Sequence, residues 1–396
     1  MEISLVSLRS ALNEERGIEL NRSSAEFLKS INLDGSLHFH KGEAGKQEIT
    51  LFFVESGGSE VPFLQVYQNY RSPFYLLTTG DSNSLASSLE ILSFLHDKKM
   101  KGEIIYGNNE KIYASIKRIY DTETAAQRLS SYKVGVIGKP SSWLISSSVD
   151  HEKAEEKYGI KYIDITFEEF DEEISKNSFP KEKVGTDILA LADKNPTFLG
   201  ALYIYGALKR VVAKYGLDGF SIRCFDLLGT RKNTACLALA LLNDEGIVSS
   251  CEGDEASLFS MMVFRALGVP AFQCNPSVID IEQSKIILAH CTMPLCMAES
   301  YSFMSHFESD LGVGIRGKFY LRDATLFKMS QNLEDYHCFH GTIEENLERK
   351  NLCRSQILLH SDTSLSPILE NPYGNHLLLA YGDLLERIER LLARYE

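Results

Sequence analysis

No Cys-X-X-Cys pair occurs among the 8 cysteines, at 224, 236, 251, 274, 291, 296, 338 and 353, and their spacing is neither close nor regular. That excludes a small disulfide scaffold and favours reduced thiols. A zinc site assembled from Cys251, Cys274, Cys291 and His290 would lack the short paired spacings with which structural zinc sites begin, so buried free cysteines are the simpler reading. A dense Lys/Arg run is also missing: 54 acidic residues outnumber 41 basic ones and leave a net charge of -13, which speaks against a phosphate-binding surface for nucleic acid. No stretch approaches the roughly 18 uninterrupted apolar residues of a membrane helix, and the opening MEISLVSLRSALNEER has no signal-peptide core. A cytoplasmic protein is expected, with neither nucleic acid nor membrane as partner. No GK[ST] follows the glycine spacing of a P-loop, no dinucleotide fingerprint follows a first strand, and no internal repeat is present. P-loop, dinucleotide-dependent dehydrogenase and solenoid readings are therefore excluded.

What is present is the composition of an ordered globular chain, 44% hydrophobic and 24% charged over 396 residues, a length beyond which one core usually stops growing. Strand-like and helix-like runs alternate from the start. ITLFFVE reads as a buried strand, FYLLTTG as another, and SLEILSFLHDKK as the helix after it. KVGVIG begins afresh near residue 133, IKYIDIT leads into FEEFDEEI, and GFSIRCFDLL, TACLALALLNDEG, IVSSC and EASLFSMMVF continue the pattern, with PAFQC as the next strand. Beyond Ile281 the texture becomes β-rich, with KIILAHC, GVGIRGKFYLRDATLF and RSQILLH, before the charged helix DLLERIERLLARY. The expectation is an α/β protein: two Rossmann-like layered α/β domains with parallel sheets, at 1–130 and 131–280, and a mostly β C-terminal domain at 281–396 with a closing helix.

Parallel α/β sheets present ligands at the carboxyl ends of their strands. Polar residues stand at such places: Glu252 and Asp254 after IVSSC, Asn275 after PAFQC, His290 at the end of KIILAH, and His376 in GNHLLLAYGD. Two carboxylates at a strand tip with histidine nearby suit a hard divalent cation or a general base. Each residue also has an ordinary structural use. Asp254 and Glu255 suit the first turn of EASLFSMMVF, and His290 suits a partly buried, satisfied histidine. HFESDLGVGIRG adds Glu308 beside a glycine-rich run, read as a hairpin turn in which Gly312, Gly314 and Gly317 take special backbone angles. SGGSE, GDSNSL and GKPSSW set small polar residues between strand and helix, where they either bind hydroxyls and phosphates or cap the helices.

Taken together, GVIGKPSSWLISSSVD, RCFDLLGTRKNTACLALALLNDEGIVSSCEGD, AHCTMP, HFESDLGVGIRG, CRSQ and GNHLLLAYGD resemble the L-fucose and L-arabinose isomerase superfamily, and more closely its shorter isomerase-like branch, from about Ile49 onward. The resemblance implies a divalent metal, usually manganese, and aldose–ketose isomerisation of a deoxyhexose or pentose through an enediol. It implies Glu252 as metal ligand and proton-transfer group, with His376 as the late histidine ligand. The next acidic ligand falls on Asn275, whose amide ligates a metal but is no carboxylate base, and Asp254 is the residue that could compensate. Glu252, Asp254 and Asn275 are thus the catalytic candidates, Glu252, Asn275 and His376 the metal candidates, and His290, Glu308 and Arg354 in CRSQ the substrate-binding candidates. Leu377 stands where close relatives often carry another histidine. A homo-oligomer, trimer or hexamer, is implied as well. The alternative is a protein of the same fold that binds a sugar or sugar derivative without isomerising it.

Overall fold

The computed structural model describes residues 1–10, 14–42, 45 and 48–396, with the side chains of residues 14–16 not described. The chain divides into two compact units, Met1–Gln127 and Arg128–Tyr395.

In the first unit the strand ITLFFV shows why the sheet is parallel and covered on both sides. Leu51 and Phe53 enter one core with Ile112, Ile116 and Ile119 of the Asn109–Ser131 helix, while Phe52 and Val54 enter a second core with Phe63, Ile91 and Leu95. Alternate residues point to opposite faces, and here both faces are apolar. The strands β1 (Glu2–Leu8), β2 (His38–Lys41), β3 (Ile49–Val54), β4 (Phe74–Thr78) and β5 (Gly102–Ile105) form one parallel sheet in the order β2-β1-β3-β4-β5.

The second unit opens with another parallel sheet, in the order β7-β6-β8-β9, built from β6 (Lys133–Ile137), β7 (Lys161–Ile165), β8 (Gly219–Ile222) and β9 (Val248–Ser250). Its helices have clear local causes. Asn195 accepts the backbone N–H of Thr197 and Pro196 opens the Pro196–Tyr215 helix, which Gly216 ends in the left-handed conformation. The Cys236–Asp244 helix, CLALALLND, is apolar nearly all round because it is buried nearly all round.

The remaining strands are β10 (Phe272–Asp280), β11 (Lys285–His290), β12 (Ala298–Met304), β13 (Gly314–Phe319), β14 (Asp323–Met329), β15 (Tyr336–Asn346), β16 (Ser355–Ser361) and β17 (Leu377–Tyr381). Six of them close an antiparallel barrel in the order β10-β11-β16-β15-β14-β17, while β12 and β13 make a separate hairpin. The chain is therefore a mixed α/β protein with parallel sheets followed by an antiparallel, barrel-forming β region. The PAFQC strand, which sequence pattern attaches to the second parallel sheet, joins the barrel: β10 pairs antiparallel with β11 across the Ile281–Ser284 turn and with β17 on its other side. One hydrophobic cluster unites Phe220 and Leu239 of the α/β layer with Leu288, Leu326 and Leu379 of the barrel.

Candidate active site

The CEGD turn follows β9, and its backbone is unusual. Glu252 lies at φ 66 and Gly253 at φ 73. Left-handed backbone is costly for a glutamate, and such a residue persists only where its surroundings hold it. They do so here. The Glu252 carbonyl accepts the Ser141 N–H at 2.9 Å, and the Gly253 N–H donates to the Ile222 carbonyl at 2.9 Å. A Cβ on Gly253 would stand 2.8 Å from the Lys139 carbonyl oxygen and 2.8 Å from Pro140 Cα, so the close approach of the 139–140 segment requires glycine. The loop after β6 is further laced to this turn by Ser147, whose carbonyl accepts from the N–H groups of Glu255 and Ala256 at 3.1 Å each.

Three side chains converge beside the turn. Glu252, His290 and His376 are buried, and one ligand atom from each lies within 4.8 Å of the others. Glu252 Oε1 is 3.4 Å from His376 Nε2 and 3.8 Å from His290 Nε2, while Oε2 accepts the indole N–H of Trp143 at 2.8 Å. The outer nitrogens are occupied. His376 Nδ1 bonds Asp254 Oδ2 at 2.8 Å and His290 Nδ1 bonds Thr292 Oγ1 at 2.8 Å. His376 is fully buried and its Nε2 has no hydrogen-bond partner among the described residues. A carboxylate oxygen and two ring nitrogens thus face one another, with their far sides fixed by partners that orient each group. Burial by itself would raise the Glu252 carboxyl, but the two histidines hold it well below the usual carboxylate range. Burial would likewise lower His376, yet Asp254 and Glu252 outweigh it and push the imidazole up to about 9. The cluster asks for positive charge, from a proton or from a cation.

Behind His376 stands Asp254. It caps the Glu255–Ala266 helix by accepting the Ser257 N–H at 2.7 Å, and it contacts Lys328 Nζ at 3.2 Å, with both side chains at most 1% exposed. Burial raises a carboxyl, but the Lys328 charge and the His376 bond hold Asp254 well below its ordinary range.

The cluster borders a cavity of about 480 Å³. Asn275, Glu308 and His306 line it, as do Phe225, Phe307 and Trp143. Trp143 is half exposed and packs edge-on against Phe225 with ring centres 4.8 Å apart. Among the residues singled out from sequence, Glu252, Asn275, His290 and Glu308 line this cavity, and His376 joins Glu252 from beneath. His290 sits in the three-ligand cluster itself. Asn275 neighbours it on β10, opposite Ala289 and one step beyond the Cys274–Leu377 pair. Asp254 and Arg354 are not among the lining residues. The Arg354 guanidinium bonds the Ser305 carbonyl at 2.7 Å and lies over the Phe307 ring at 5.6 Å. Residues 305–313 make the turn between β12 and β13 with Gly312 at φ 64, but Gly314 and Gly317, expected at special angles too, are paired residues of β13 with no positive φ. Trp143 and Lys328 escape a reading by motif. The signal for Trp143 was an aromatic in the polar GKPSSW loop, and for Lys328 a lysine within the apolar run DATLFKM.

Fold and site define a mixed α/β protein with a Glu-His-His cluster where a parallel strand tip meets the end of a β-barrel. No family model matches the chain. It is 22% identical over 340 residues, 80% of its length and 73% of the relative, to a sulfoquinovose isomerase of Alkalicoccus urumqiensis. A sulfoquinovose isomerase of Priestia aryabhattai is 20% identical over 341 residues, 78% of this chain and 73% of the relative. A third, from Clostridium sp. (strain MSTE9), is 34% identical over 95 residues, 24% of this chain and 21% of the relative. Among the described residues no helix is long and apolar enough to cross a membrane.

Proposed function

We propose that the chain is a sugar isomerase that interconverts an aldose and a ketose through an enediol, with a divalent cation, manganese as the expected ion, held by Glu252, His290 and His376. The observation that carries this reading is the buried His376 Nε2, without a hydrogen-bond partner among the described residues and 3.4 Å from a carboxylate oxygen. A carboxylate oxygen and a ring nitrogen so placed need positive charge between them, which a proton on the imidazole supplies in the free protein and a cation supplies in its place. The relatives' shared activity as isomerases of a sugar supports the class of reaction.

A divalent cation there supplies Lewis acidity to neighbouring carbonyl and hydroxyl oxygens of an open-chain sugar. The chain's own groups do the rest. Glu252 is the base that takes a proton from the carbon beside the carbonyl and returns it to the carbonyl carbon, while the hydroxyl proton on the first of these carbons passes to the carbonyl oxygen; the Trp143 N–H on Oε2 orients the carboxylate for both carbon transfers. Asn275 adds an amide oxygen or a hydrogen bond at the cavity wall, and His290 is a ligand that also borders the sugar. Glu308 binds hydroxyls, and Arg354 acts through Phe307, whose ring it backs. Asp254 is a positioning residue that holds His376 from behind. A deoxyhexose or pentose fits a wall of aromatic faces and few charges, and a trimer or hexamer is the proposed assembly; a monomer by light scattering would sink that last point.

Asn275, in a place that suits an acid, favours a second reading: sugar binding without isomerisation. Incubation of the purified chain with Mn2+ and a panel of aldoses in D2O separates the two. Isomerisation through an enediol places deuterium on the carbon beside the carbonyl, visible by NMR, whereas a pure binder perturbs sugar resonances and exchanges nothing. Metal analysis that finds no bound divalent ion at any concentration would remove the cation reading.

A further inference from the structure

Five of the eight cysteines, Cys224, Cys236, Cys251, Cys291 and Cys353, line the cavity beside Glu252 and His290. None takes part in the chemistry above; Cys291 contacts Cys353, and Cys224 and Cys251 meet sulfur to sulfur. β8 and β9 are adjacent parallel strands with Ser221 opposite Ser250, so the residues that follow leave the sheet side by side. The Ile222 carbonyl accepts the N–H groups of both Cys224, at 2.8 Å, and Gly253, at 2.9 Å, which knits the two strand ends together. The thiol sulfurs of Cys224 and Cys251 meet at 3.0 Å. A disulfide is about 2.0 Å long, so about 1 Å of approach converts this contact into a bond.

The surroundings decide where that movement goes. Cys251 is clamped on its strand side: its N–H donates to Gln273 Oε1 at 2.8 Å, and Ser250 Oγ donates to the same oxygen at 3.0 Å. Its other neighbour is Glu252, already at φ 66. Movement of Cys251 toward Cys224 is therefore taken up by the turn that carries Glu252 and not by the strand before it.

We propose that Cys224 and Cys251 form a reversible oxidative modification site, in which a small peroxide or low-molecular-weight disulfide links them and the bond weakens cation binding at Glu252. The consequence for binding rests on the cation site proposed above; the bond itself does not. With hydrogen peroxide the balance is complete. One thiol loses its proton and attacks a peroxide oxygen, the O–O bond breaks, and a sulfenic acid and one water result. The second thiol, losing its proton, attacks the sulfenic sulfur, the S–O bond breaks, and the second water leaves. Two thiols have given up two protons and two electrons, and one peroxide has become two waters. The cavity beside the sulfurs admits an oxidant of this size, and a dithiol reductant reverses the bond by exchange.

The test uses the full chain, oxidised with excess hydrogen peroxide and mapped as unreduced peptides by mass spectrometry, with Mn2+ affinity measured calorimetrically before oxidation, after it, and after dithiothreitol. The expected result is a Cys224–Cys251 cross-link, a loss of about tenfold in Mn2+ affinity, and recovery on reduction. Cys224→Ser is expected to show neither cross-link nor change of affinity on oxidation, and Cys291→Ser to keep both. A Cys291–Cys353 link in place of the expected one, or irreversible sulfinic acid alone, overturns the proposal. So does a Cys224–Cys251 link that leaves Mn2+ affinity unchanged. If the reduced chain binds no Mn2+, the cation reading fails by itself, and the fluorescence of Trp143, bonded to Glu252, becomes the readout; no fluorescence change on cross-linking then overturns the proposal.

Discussion

Asp254 Oδ2 and His376 Nδ1 are 2.8 Å apart across 122 positions of the chain, with both side chains fully buried. The carboxylate fixes which nitrogen of the ring faces Glu252, and Lys328 balances the carboxylate in turn. A buried ion pair of this kind is costly to break from one side.

Lys328→Met is expected to destabilise the protein by about 3–5 kcal/mol, because the fully buried Asp254 loses the lysine charge that balances it. The double variant Asp254→Asn with Lys328→Met should recover more than half of that loss, since neither charge then remains unpaired. Urea denaturation of the four members of the cycle measures the coupling. Strictly additive effects would show that the pair does not act as a unit.

Cation binding should release a proton. In the cation-free protein His376 holds its proton up to about 9, and a ligating imidazole must give it up. Affinity for Mn2+ is therefore expected to rise with pH through that region, and calorimetry in buffers of different ionisation enthalpy should report the released proton. Stability of the cation-free protein runs the other way. A histidine whose folded value is raised stabilises fully below its ordinary value of about 6.5 and loses that contribution as pH rises through the folded value. The melting temperature of the cation-free chain should fall between those limits, and Mn2+ should flatten the fall. A melting temperature that climbs over the same range would contradict the assignment.

Trp143 is the single tryptophan of the chain, half exposed at the cavity and bonded to Glu252. Its fluorescence should change on titration with Mn2+ or with a bound sugar. Trp143→Phe keeps the ring packed on Phe225 but loses the N–H, and is expected to lower kcat roughly tenfold with little effect on KM, the size of one hydrogen bond to a charged group. A rise in KM alone would assign the indole to sugar binding and leave the carboxylate without its orienting donor.

Gly253→Ala meets two obstacles, a left-handed backbone and a Cβ only 2.8 Å from the Lys139 carbonyl oxygen. A loss of about 2–4 kcal/mol is expected, together with weaker Mn2+ binding because the Glu252 turn must shift. Thermal melts with and without Mn2+ separate the two effects. An unchanged melting temperature would show that the 139–140 segment yields freely.

Much of the layered α/β region was legible locally. ITLFFV, KVGVI and GFSI are apolar on both faces and bounded by turn residues, which is enough to specify buried parallel strands between helices. Asp254 as a helix cap and Glu252 at a strand tip also follow from residues within a few positions of each. The strand Phe272–Asp280 could not be placed this way, since an apolar run with a short turn fits a parallel sheet edge as well as a barrel, and only its pairing with β11 and β17 decides. The same holds for the cluster itself. His290 ends one barrel strand, His376 precedes another, and Lys328 lies on a third. Barrel closure, with its ladder registers, sets their distances to a turn that belongs to a different sheet. Local pattern determines which residues face inward, because side-chain periodicity is a property of a few neighbouring residues. Which inward-facing residues meet across 27 positions, as Cys224 and Cys251 do, or across 122, as Asp254 and His376 do, is decided by the packing of whole elements, and that is why the Asp254–His376–Lys328 network and the Cys224–Cys251 contact belong to the tertiary structure alone.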